Sequence, residues 1–194
     1  MPEPATLHIQ DTPELKIARN FLILGLLINA LVLLFFSLPI LSLILSIISF
    51  AFSTGGFYKL SKLARSQILF KYYTFLVLDG VLMGIIAGII NTNETLKTGF
   101  SIGAFVVLIC AVFYFYFFYR ICLELTKITT IDFFTLAFKG MIVGIVVFLI
   151  GCLFLSMGEV FYFISIASLI IISISGILFV IGIFKIKKIV YYEG

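Results

Sequence analysis

Residues 20–58 carry no charged side chain. As a single helix rising about 1.5 Å per residue they would extend nearly twice the ~30 Å hydrocarbon core of a bilayer. Ser37-Leu38-Pro39 sits at the midpoint. Proline disfavours helix in the residue before it and opens a new helix well, so the pattern predicts two spans, 20–37 and 40–58, joined by a tight hairpin. Four further apolar runs follow at 72–93 (broken only by Asp79), 98–119, 140–158 and 160–184. Each is long enough to cross a bilayer once. The expected fold class is therefore all-α, a polytopic transmembrane helical bundle of six spans. Asn91-Thr92-Asn93-Glu94 separates spans 3 and 4, and Gly158-Glu159 marks a short turn between spans 5 and 6.

Charge adds an orientation to this pattern, because Lys and Arg near span ends favour the cytoplasmic side. With six spans, Lys16 and Arg19, then Lys59, Lys62, Arg65 and Lys71, then Arg120, Lys127 and Lys139, then Lys185, Lys187 and Lys188 all fall on one side, and only Lys97 falls opposite. Reading 20–58 as one crossing would split the first two clusters across the membrane. Both termini are thus expected in the cytoplasm of a multi-pass cell-membrane protein. Tyr58, Tyr72, Tyr73, Tyr119, Tyr191 and Tyr192 gather at the same boundary, where amphipathic rings settle.

Composition fits one membrane domain. The chain is 63% hydrophobic and 11% charged, with a mean hydropathy of +1.30, too apolar to build a water-facing surface. A polar arm at residues 1–19, containing Pro2, Pro4 and Pro13, precedes the transmembrane domain at 20–187, and 188–194 form a short tail. The first apolar run is too long for a cleavable leader and reads as a retained anchor. The net charge of +4 is scattered in short clusters between apolar runs, which argues for topology signals and against nucleic acid as a partner.

The segment from Phe57, FYKLSKLARSQILFKYYTFLVLDGVLMGII, resembles that from Phe118, FYRICLELTKITTIDFFTLAFKGMIVGIV, once one residue is dropped from the first. The alignment pairs Tyr72-Tyr73-Thr74 with Phe133-Phe134-Thr135, and Gly80 and Gly84 with Gly140 and Gly144. It implies that spans 2–3 and 4–5 are duplicated two-helix hairpins. Similarity between Phe- and Ile-rich apolar segments arising without duplication is the alternative.

Few side chains inside the spans carry chemistry. Asp79 is the one acidic residue well inside a span, where ionisable groups are costly and mark function by default. Its counterpart in the internal alignment is Lys139, so an ion pair is the favoured reading, with a proton or cation site as the alternative. Asn29 lies midway along span 1, where an amide is expected to bond another helix. Gly80, Gly84 and Gly88 form small-xxx-small steps, and Ser42, Ser46, Ser49 and Ser53 recur on one face of span 2. Both stripes suit helix packing, and the serines would also suit a pore lining. The loops 59–71 and 120–139 have amphipathic character suited to an anionic membrane surface, as well as to simple topology signals. Asn93-Glu94-Thr95 fits a glycosylation acceptor pattern.

The absences are equally informative. The only His is His8, and Cys110, Cys122 and Cys152 form no CxxC pair, so metal-ligand spacing, intramembrane haem and a Ser/His/Asp set are all missing from the sequence. No cofactor and no enzymatic activity are expected. The apolar hairpin, the GGFYKLSKLARSQILFKYYTF loop and the following LTKITTIDFFTLAFKGMIVGIVVFLIGCLFL resemble an archaeal family of predicted membrane proteins, domain of unknown function 996, over about residues 20–187. The resemblance implies a multi-span fold and an archaeal source, and it carries over no site residue. The expected role is a non-catalytic accessory or scaffold component, partnered by lipid, further copies of itself or other subunits. The alternative is a small transporter or channel for protons or small cations organised around Asp79.

Overall fold

The computed structural model describes residues 6–10, 12–35, 37–92, 102–153 and 159–192. Six helices span Pro13–Leu34 (α1), Pro39–Leu63 (α2), Gln67–Thr92 (α3), Ile102–Thr129 (α4), Phe133–Leu153 (α5) and Glu159–Phe184 (α6). All six are long and apolar enough to cross a membrane. Pro39 opens α2 as its first residue, so the predicted hairpin at the midpoint of the long uncharged run is present. Asn93-Glu94-Thr95, Lys97 and Gly158 lie outside the described residues.

The helices begin and end differently from the apolar runs. α1 starts inside the polar arm, where the Thr12 hydroxyl accepts a hydrogen bond from Leu15 N–H at 3.3 Å, Pro13 occupies the first turn and Glu14 follows. This combination satisfies orphan N–H groups and complements the helix dipole. The loops expected at 59–71 and 120–139 are mostly helix, and the turns shrink to residues 64–66 and 130–132. Lys and Arg are good helix formers whose stems lie along apolar surface while their charges reach water, so the helices run past the hydrophobic boundary.

Both turns use left-handed backbone at residues other than glycine, Arg65 with φ 51° and Thr130 with φ 56°. At the first, Ser66 N–H donates to Ser61 O at 3.0 Å and Arg65 N–H to Lys62 O at 3.3 Å; at the second, Thr130 N–H donates to Thr126 O at 2.8 Å. These are helix C-terminal closures in which glycine is the usual left-handed residue. Their positions bear on the internal repeat. The register that pairs Phe57 with Phe118 sets Arg65 against Thr126, in the interior of α4, whereas the second turn lies at Thr130. The turns do not coincide in the aligned register, and the duplicated hairpin is not confirmed.

Helix pairing also departs from the proposed repeat unit. The extensive seams are α1–α2, α3–α4 and α5–α6, while α2–α3 and α4–α5 touch less, and α6 returns to α1. The helices thus form a ring of three close hairpins. Its buried core gathers at the end that carries both short turns, where Leu15, Leu60, Leu69, Leu125, Phe134 and Ile186 are almost fully enclosed. The remaining length of each helix shows Ile, Leu, Val and Phe outward, as a lipid-facing surface requires.

A further element closes that end. Thr6–Gln10 (β1) pairs antiparallel with Lys188–Tyr192 (β2), with Ile9 opposite Ile189 and His8 opposite Val190. The Arg19 guanidinium donates to Ile186 O at 3.1 Å beneath this ribbon. The two ends of the chain therefore meet on one side of the bundle. The pattern of residues predicts only an arm and a tail here, because five-residue strands at the edges of so apolar a chain give no distinctive alternation.

Candidate intramembrane site

Asp79 lies on α3, only 9% exposed, and its Oδ2 has no hydrogen-bond partner among the described residues. The expected ion pair with Lys139 is absent. α3 packs on α4 and, less closely, on α2, whereas Lys139 lies exposed on α5, whose main partner is α6. Opposite charges at aligned positions therefore do not meet, because the two helices carrying them are not neighbours. The group within electrostatic range of Asp79 is Tyr114 on α4. An aromatic seam fixes α3 against α4 one to two turns away, with Tyr72 set edge-on to Tyr116 and Phe75 against Phe117, their ring centroids 6.3 and 5.5 Å apart.

Tyr114 also borders a cavity of about 810 Å³ between α1, α4, α5 and α6, shared with Asn29, Phe118, Met141, Ser173 and Phe179. Asn29 is exposed toward this space and makes no hydrogen bond among the described residues, so the interhelical bond expected for it is missing. The cavity is largely apolar with a few neutral polar groups, the general character of a small-molecule site. Asp79 is not in its lining. The three predicted polar residues therefore do not form one cluster. Asn29 borders the cavity, Asp79 lies near Tyr114, and Lys139 stands apart from both.

The serine stripe divides along its length. The Ser49 hydroxyl donates to Gly25 O at 2.8 Å across the α1–α2 seam, and Ser53 abuts the same glycine. Ser42 and Ser46 bond back to their own helix, to Pro39 O at 2.9 Å and Ser42 O at 2.7 Å. The same device recurs in the α5–α6 hairpin, where Gly140 meets the Ser175 hydroxyl and Gly144 lies against Ser168 and Ile172. Gly25, Ser168 and Ser175 are packing residues beyond those expected from the sequence. The signal was present as small side chains at helical spacing in spans 1 and 6.

Gly80, Gly84 and Gly88 do not pack as expected. A Cβ built at any of them meets nothing within 4 Å. α3 meets α4 through the rings of Tyr72, Phe75, Tyr116 and Phe117 instead. Among the described residues, no three His, Cys, Asp or Glu side chains come together as metal ligands. No family model, no curated protein and no solved structure matches this chain.

Proposed function

We propose that the chain is a non-catalytic component of the cell membrane, with both termini in the cytoplasm, acting as an accessory or scaffold subunit. The supporting observation is the use of its small and polar span residues. The Ser49 hydroxyl bonds Gly25 across a helix seam, Ser53 and Ser175 abut Gly25 and Gly140, and the Ser42, Ser46, Ser168, Ser173 and Ser175 hydroxyls bond their own helices. Hydroxyls engaged in this way hold helices together and do not provide a continuous lining for an ion. The open faces at Gly80 and Gly84 leave room for a helix from a second copy or another subunit.

Crosslinking in native membranes tests the reading. The expected result is a defined assembly that Gly84→Leu disperses while the isolated chain stays folded. A chain that remains monomeric in the membrane would overturn it.

Asp79 favours a second reading, a small transporter or channel for protons or small cations, because a buried carboxylate without a partner is costly in a span. Purified protein in liposomes that conducts protons or monovalent cations, with flux abolished in Asp79→Asn, would replace the scaffold reading with this one.

A further inference from the structure

The α2–α3 turn forms a hollow of about 630 Å³ whose walls include Lys62, Arg65, Lys71, Gln67, Tyr58 and Phe70. Among the described residues, three cations surround it and no acidic side chain lines it. Two acids of neighbouring elements lie outside this lining. Glu124 accepts a hydrogen bond from the Ser66 hydroxyl at 2.6 Å and lies 3.9 Å from Lys127, while Glu14 lines an adjoining hollow of about 410 Å³ together with Lys59. Tyr58 and Lys62 separate the two spaces. The lining of the first is therefore purely cationic, whereas that of the second includes an acid.

The position of the hollow identifies its ligand. It lies between the ends of two helices long and apolar enough to cross a membrane, and the ends of such spans are where headgroups meet the hydrocarbon. Tyr58 and Phe70 stand edge to face with centroids 5.4 Å apart, giving it an aromatic side. Ile68 and Phe75 are exposed beside it on α3, an apolar surface against which acyl chains can lie. Basic pockets between membrane helices bind anionic headgroups by this combination of charge and apolar surroundings.

We propose that this hollow binds the phosphate headgroup of an anionic phospholipid, held between Lys62, Arg65 and Lys71. The backbone of Arg65 supplies an unusual control. Its left-handed conformation is one that glycine adopts without strain, so Arg65→Gly removes a cation while easing the turn.

The full-length protein, purified in mild detergent with equal amounts of phosphatidylglycerol and phosphatidylcholine, is examined by native mass spectrometry. Wild type should retain phosphatidylglycerol preferentially. Arg65→Gly and Lys71→Gln should each lower that retention about fivefold, the effect of one cation near a headgroup, with Arg65→Gly melting no lower than wild type. A Lys185→Gln, Lys187→Gln, Lys188→Gln variant should retain the lipid as wild type does. Equal retention of the two lipids, unchanged retention in both single variants, or an equal loss in the triple variant would overturn the assignment. Complete displacement of the lipid by millimolar inorganic phosphate would overturn the lipid as the ligand in favour of a free anion.

Discussion

Ser49 and Gly25 are joined across the α1–α2 seam, the Ser49 hydroxyl donating to the Gly25 carbonyl at 2.8 Å. The absent side chain at Gly25 permits the approach, since a Cβ there would collide with the Ser53 hydroxyl and lie 3.0 Å from Ser53 N. Bulk at position 25 therefore separates two backbones, whereas loss of the serine hydroxyl removes one bond. Gly25→Val should destabilise the bundle by about 1–3 kcal/mol through overpacking, and Ser49→Ala by about 0.6 kcal/mol, the average for such bonds in membranes. Equilibrium unfolding in mixed micelles measures both.

Gly80 and Gly84 should behave oppositely. With nothing within 4 Å of an added Cβ, alanine contributes helix propensity worth about 0.8–1.0 kcal/mol at each. The same unfolding assay on the isolated chain should show Gly80→Ala and Gly84→Ala as stable as wild type or more so. A loss like that at Gly25 would mean that α3 has a close neighbour at these positions.

Asp79 should be a stability liability. Its Oδ2 is buried without a partner, and an acid at the centre of a span costs roughly 2.5–3.5 kcal/mol on insertion scales. Asp79→Leu should therefore stabilise the protein by about 1–3 kcal/mol, whereas Lys139→Gln should leave stability within about 0.5 kcal/mol of wild type. Destabilisation by Asp79→Leu would point to a polar partner that the isolated chain does not contain.

Thr130 is a β-branched residue in left-handed backbone, a conformation that costs roughly 1–2 kcal/mol outside glycine. Part of the gain from glycine is offset by its greater freedom in the unfolded chain. Thr130→Gly should raise stability by about 0.5–1 kcal/mol, visible as a higher melting temperature.

The ribbon between the chain ends gives a geometric test. Ile9 and Ile189 are direct partners, and Ile9 and Tyr191 are displaced by two pairs. A disulfide needs Cα atoms within about 7 Å. Ile9→Cys with Ile189→Cys should therefore crosslink readily under mild oxidation, and Ile9→Cys with Tyr191→Cys should not. Gel mobility after protease cleavage within a loop reads the result.

The sequence by itself determined the six crossings and the hairpin at Pro39. Both follow from the length of apolar runs against bilayer thickness and from a residue that cannot continue a helix, which are local properties. It also marked Ser42, Ser46, Ser49 and Ser53 as one face suited to helix contact, of which Ser49 and Ser53 meet α1 while the Ser42 and Ser46 hydroxyls bond their own helix. Only the tertiary structure decided which helices are neighbours. Apolar helices carry little information about azimuth or partner when lipid solvates every face equally well, so α3 could be matched with α5 by alignment while packing on α4 through Tyr72, Phe75 and Phe117. That choice separates Asp79 from Lys139, leaves Gly80 and Gly84 open, and sets Asn29 against a cavity. The β1–β2 ribbon and the cationic hollow at Arg65 also depend on chain ends and turns meeting in space, which no local pattern encodes.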